Sequence, residues 1–226
     1  MQFPWRELVA CMLVVGGWTV RGADGRWAEL FNGRDLDGWV QRGGKAEYRV
    51  ESGEIVGRAV ANTPNSFLCT ARPYTNFILE LEFRVATNLN SGIQIRSECF
   101  PEAREVQAAG KTHRIPAGRV HGYQVEIDPG ARAWTGGIYD EGRRGWLYDL
   151  KENEAARRAF KPGAWNQLRI EARGASMKTW LNGVAAADLT DPMTPAGFIG
   201  LQVHGVDAKD VGAEVRWRRL RIQELP

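Results

Sequence analysis

Between Phe77 and Val203 the chain changes character at every second residue, and this period restricts the fold more than any other feature. Phe77, Leu79, Leu81, Phe83 and Val85 alternate with Ile78, Glu80, Glu82 and Arg84. Ile93 and Ile95 alternate with Gly92, Gln94 and Arg96, and Tyr123, Val125 and Ile127 with Gln124, Glu126 and Asp128. Leu168 and Ile170 alternate with Arg169 and Glu171, and Ile199, Leu201 and Val203 with Gly200, Gln202 and His204. Successive side chains of a strand point to opposite faces, so each segment reads as a strand with one core face and one wet face. Asn32-Gly33, Ser52-Gly53, Pro129-Gly130, Gly136-Gly137 and Asn182-Gly183 supply the turns between strands. Only residues 153–160 read as a helix. Many short strands with little helix predict an all-β sandwich of two antiparallel sheets. Residues 99–120 and 143–164 read as long loops, which on such a scaffold tend to build the walls of a site.

The same alternation sorts the polar residues. With the apolar set in the core, the opposite face presents Gln94 and Arg96, then Gln124, Glu126 and Asp128, then Gln202 and His204. An ordinary solvated face is rich in Lys, Glu and Thr. Three glutamines beside an arginine, two acids and a histidine suit hydroxyl recognition by fixed donors and acceptors. Nucleotide and hydrolase signatures are missing: there is no phosphate-binding glycine loop, no GxSxG elbow and no HExxH pair. Glu126-Ile127-Asp128 begins like a two-carboxylate glucanase motif, but Pro129, Gly130 and Ala131 follow where a second glutamate is needed. A formal net charge of +3 is too small to imply a nucleic-acid partner. The basic run from Arg216 to Arg221 reads as a strand whose charged solvent positions discourage edge pairing. Nine tryptophans give large apolar area, most of it expected in the core, with the remainder suited to stacking on sugar rings.

Residues 1–23 read as a cleaved export signal. Arg6 precedes the apolar residues 8–15, a stretch too short to span a bilayer, and Val20 with Gly22 fit the positions before a cleavage site. The mature chain, 24–226, is then a secreted or periplasmic β-sandwich domain with no membrane span. Cys69 and Cys99 remain, and in an oxidising compartment they are expected to form one disulfide, two buried thiols being the alternative. Three histidines in the whole chain argue against a structural zinc site.

Eight short stretches, in order, resemble the bacterial 3-keto-disaccharide hydrolase family. They include Leu30-Phe31-Asn32-Gly33 through Gly38-Trp39, Asn90-Ser91-Gly92-Ile93-Gln94-Ile95-Arg96, Gly122-Tyr123-Gln124-Val125-Glu126, Trp180-Leu181-Asn182-Gly183 and Gly200-Leu201-Gln202-Val203-His204-Gly205. The chain departs from that pattern at Tyr123-Gln124-Val125-Glu126, where other members exchange amide and acid, and at Trp217-Arg218-Arg219. The resemblance implies a concanavalin-like lectin/glucanase jelly roll and a carbohydrate substrate. It also implies chemistry at a glucosyl unit oxidised at C3. The ketone acidifies the hydrogen on C2, a general base removes it, and elimination followed by hydration cleaves the glycosidic bond. On this reading His204 or Glu126 is the base, Arg96 anchors the enolate, and Tyr139 protonates the leaving group. Gln94, Gln124, Asp128 and Gln202 bind the sugar. His204 and Glu126 are the pair that could hold a divalent metal, although no cofactor is required. A non-catalytic carbohydrate-binding module on the same fold is the alternative.

Overall fold

A computed structural model describes residues 25–226; residues 1–23, expected to be an export signal, lie outside the described residues. In chain order the strands are β1 (Trp27–Glu29), β2 (Trp39–Gly43), β3 (Glu47–Glu51), β4 (Glu54–Arg58), β5 (Ser66–Thr70) and β6 (Phe77–Val85). There follow β7 (Ser91–Cys99), β8 (Arg104–Ala108), β9 (Lys111–Ile115), β10 (Val120–Ile127), β11 (Ile138–Glu141) and β12 (Gly145–Tyr148). A one-and-a-half-turn helix α1 (Glu154–Ala159) precedes β13 (Asn166–Arg173), β14 (Ser176–Leu181), β15 (Val184–Thr190), β16 (Phe198–Val203) and β17 (Glu214–Glu224).

Two antiparallel sheets form the sandwich. One runs β15-β14-β13-β6-β17-β4-β3 with β1 added to β17, and the other runs β12-β11-β10-β7-β16-β5-β2. The fold is the predicted one, because the alternating positions do what period two requires. Phe77, Leu79, Leu81 and Phe83 of β6 are buried, and they join Ile93, Ile95, Tyr123, Val125, Ile127 and Leu201 in one continuous core. Asn182-Gly183 turns β14 back on β15 as expected, with Asn182 at φ 50. Asn153 caps α1 through its side chain, which accepts from the Ala156 amide.

Several expectations are corrected. Residues 99–120 contain the β8–β9 hairpin, and residues 143–164 contain β12 and α1. Of the tryptophans in the described residues, only Trp39 and Trp217 are buried in the core; Trp134 and Trp146 stand edge to face, 4.7 Å apart, above the second sheet. Cys69 and Cys99 are both free. They lie on β5 and β7, and β16 runs between those strands. Strands two places apart are separated by about 9.6 Å, beyond the reach of a disulfide. Burial instead lifts the Cys69 thiol to about 12, so it stays protonated. Among the described residues no helix is long and apolar enough to cross a membrane.

Candidate functional site

The outer face of the second sheet is a grid in which glycines alternate with large polar side chains. One row across the strands reads Trp146, Tyr139, Gln124, Gln94, Gly200; the next reads Glu126, Gly92, Gln202. Gly92 is required there, because a Cβ would stand 2.6 Å from Gln124 Cδ. Without it Gln124 lies flat across β7, and the amides connect. Ser97 Oγ donates to Gln94 Oε1 at 2.7 Å, and Gln94 Nε2 donates to Gln124 Oε1 at 2.7 Å. Gln202 Nε2 donates to the same oxygen at 2.8 Å, and Gln124 Nε2 donates to Glu126 Oε2 at 2.8 Å. This network explains why both faces of β7 and β10 are buried although one of them is polar.

Glu126 ends the network at the floor of a cleft of about 470 Å³. It is only 4% exposed. Its Oε1 accepts from Asn90 Nδ2 at 2.7 Å and from Arg132 Nη2 at 3.3 Å. A carboxylate has about four acceptor positions, so one remains on Oε2. Burial lifts its carboxyl above the ordinary glutamate range, against the pull of Asn90 and Gln124. Tyr139 and Trp146 form one wall, with ring centroids 5.3 Å apart. Burial, then the charges of Glu141 and Glu126, raises the Tyr139 phenol and keeps it protonated. His204 stands at the exposed rim. Its Nδ1 lies 2.7 Å from the Gly205 carbonyl oxygen, which can only accept, so Nδ1 carries a proton and in the neutral tautomer the lone pair is on Nε2.

Arg96 does not belong to this site. β7 carries one extra residue opposite both neighbours: two of its residues face one, Gly122 on β10 and Ile199 on β16. Arg96 occupies the bulge at φ 46, which returns Ser97 to the face of Gln94 and swings the guanidinium away. Arg96 then donates to the Thr75 and Gly174 carbonyls at 2.7 and 2.6 Å and to Asn76 Oδ1 at 3.2 Å. It clamps two loops and is not among the residues that line the cleft. Asp128 is likewise a local brace: its carboxylate receives Arg132 Nε at 2.7 Å and the Gly130 amide at 3.1 Å. Gln94 is buried beneath the cleft and positions Gln124.

The site also holds residues that alternation did not reveal. Arg119 reaches in after the hairpin and is paired with Glu141 at 2.6 Å. Arg132 comes from the β10–β11 loop, its guanidinium 4.9 Å from both the Trp134 and Trp146 ring centres. Glu141 shares the grid because it pairs with Gly122 on β10. The Glu126-x-Asp128 spacing was the only signal pointing to this loop, since both acids hold Arg132.

Residues 26–223 match the 3-keto-alpha-glucoside-1,2-lyase-like domain. The chain belongs to that family. No curated protein matches it in sequence. Among solved structures it is similar to a proposed glycosyl hydrolase of Parabacteroides distasonis, with 17% identity, a TM-score of 0.56 and coverage of 88% of this chain and 94% of that one. A carbohydrate-binding module of Bacillus subtilis aligns at 16% identity and TM-score 0.52, over 83% of this chain and 96% of that one. A Bacillus subtilis protein of unknown function with a galectin-like fold aligns at 10% identity and TM-score 0.59, over 84% and 90%. At these identities the likeness is one of fold.

Within this family fold, the cleft combines a shielded carboxylate, a phenol, an imidazole lone pair and two guanidiniums. Such a set can take a proton, hold a developing oxyanion and return a proton. The pair Glu126 and His204 does not fit a divalent metal. Three donors already occupy the carboxylate, one of them a cation, and among the described residues no three His, Cys, Asp or Glu side chains converge.

Proposed function

We propose that the protein cleaves glycosides oxidised at C3 of the glucosyl unit, with the chemistry at this cleft. The observation that carries the reading is Glu126, a carboxylate shielded from water, raised by burial and left with acceptor capacity at the cleft floor. A base poised above the ordinary glutamate range matches the removal of a ketone-acidified proton. In the first step the C2 proton passes to Glu126, the electron pair forms the C2–C3 double bond, and the charge settles on O3. Arg119 and Arg132 are the donors for that enolate. In the second step the C3 ketone reforms, a C1–C2 double bond forms, the C1–O bond breaks, and Tyr139 gives its proton to the leaving oxygen. Water then adds its hydroxyl to C1 and its proton restores Tyr139, while Glu126 returns a proton to C2. His204 Nε2 is positioned to orient that water. Family membership and the hydrolase assignment of the Parabacteroides structure support the reading.

A second reading, a non-catalytic carbohydrate-binding module, is favoured by Trp146 on the cleft wall and by the similar fold of the Bacillus module. Mass spectrometry of a glycoside before and after oxidation at C3 separates the two. The account expects aglycone release from the 3-keto compound alone. Equal cleavage of the unoxidised parent would overturn it, and binding without cleavage of either would favour the module. We further propose that the protein acts outside the cytoplasm after removal of residues 1–23.

A further inference from the structure

Glu126 fixes the direction of the hydrogen bonds on the cleft floor. An ionised carboxylate only accepts, so Gln124 must turn Nε2 toward it. Gln124 Oε1 then faces β7 and β16, where donors must meet it, and Gln94 and Gln202 both present Nε2. Each of these glutamines is thereby forced to show its own Oε1 on the far side. For Gln94 the Ser97 hydroxyl is waiting there. For Gln202 nothing among the described residues is: its Oε1 is buried without a hydrogen-bond partner, although the residue lines the cleft. Buried acceptors are almost always satisfied, so a donor from outside the described residues belongs at this oxygen.

We propose that Gln202 determines specificity in the cleft, its Oε1 accepting from one hydroxyl of the bound sugar. The cleft then requires a hydrogen-bond donor at that ring position and rejects a ketone, a fluorine or a hydrogen there. This orients the ring, because the opposite wall, formed by Arg119, Arg132 and Tyr139, offers donors that suit a keto oxygen. The inference rests on the cleft being a sugar site, and it adds which side of the sugar is read by which wall.

The test is the affinity of the protein for methyl 3-keto-glucoside and for its deoxy and fluoro analogues at C2, C4 and C6. A single ring position should be selective, with deoxy and fluoro compounds both weaker by roughly 10- to 100-fold, the cost of stranding a buried acceptor. Gln202→Met should reduce that selectivity to under about 3-fold. Gln94→Met is the control, because the Gln94 acceptor is already satisfied; it should weaken all analogues alike and keep the selectivity. If the parent sugar binds but no position discriminates, or Gln202→Met discriminates as wild type does, the orphan oxygen is met by a bound water only and the proposal fails. If no sugar in the set binds, the sugar-site reading fails with it.

Discussion

The two outer faces of this sandwich are built from the same alternation and solve opposite problems. On the first sheet, Glu80 is held by Arg169 and Arg221 at 2.5 and 2.6 Å, and Glu82 by Arg218 and Arg219 at 2.7 and 2.8 Å. Arg216 gathers Glu51, Glu54 and Glu214. These acids are each matched by arginine, and the arginines keep part of their surface in solvent. On the second sheet Glu126 sits 4% exposed at the end of a line of neutral amides on a glycine floor, with Arg132 its one cationic donor. The acids respond accordingly. Burial opposes ionisation on both faces, but the arginines overcome it and hold Glu80 and Glu82 below the ordinary range, whereas Glu126 stays above it. A face of matched ion pairs is a stable exterior. A face on which the raised carboxylate of Glu126 keeps acceptor capacity is chemically available.

The largest expected effect is at Glu126. Glu126→Gln should lower turnover of a 3-keto-glucoside by roughly 10²–10⁴, the range for loss of a general base. For wild type, kcat/KM should fall as pH drops through a value above 4.5, because the raised carboxyl becomes protonated and cannot accept the C2 proton. A limb at or below 4.5 would assign the base elsewhere.

Gly92→Ala comes next. Its methyl group would enter the space of Gln124 and break the amide line without touching Glu126. Activity should drop while the protein still folds, at a cost of about 1–3 kcal/mol for overpacking. Circular dichroism with a parallel assay checks this.

Arg96→Lys tests the correction at the bulge. Lysine cannot span three acceptors on two loops, so the melting temperature should fall, by about 1–3 kcal/mol of stability, with KM unchanged. A changed KM at normal stability would return Arg96 to the site.

Glu80→Gln on the opposite face should be the mildest. It removes one member of a surface pair network, costs up to about 1 kcal/mol, and leaves turnover intact. The sign with pH is opposite to that of a raised carboxyl. The folded-state value is depressed, so the contribution is present above the unfolded value of 4.5 and is lost as pH falls through the folded one. Denaturation midpoints of wild type and variant should therefore converge in acid.

Much of this contrast was legible from alternation, with residue type marking which face is unusual. Gln94, Gln124, Glu126 and Gln202 share a face because period two holds along β10 and β16 and along β7 as far as Ile95. It fails at Arg96, since one bulged residue shifts every later position on β7 and nothing in Ile95-Arg96-Ser97 announces a positive φ. Arg119 and Arg132 were invisible because they enter from a hairpin base and a loop, where alternation carries no information. The cysteine pairing failed for a topological reason: strand order, which inserts β16 between β5 and β7, cannot be read from two isolated positions.

The central claim is that the Glu126 carboxylate makes this face catalytic and not merely adhesive. It is tested most directly by measuring turnover and affinity for one 3-keto-glucoside on wild type and Glu126→Gln together. The account predicts that the variant binds the sugar within about 10-fold of wild type while turnover falls by at least 10²-fold. Wild-type turnover in the variant, or sugar binding with no turnover in either protein, would contradict it.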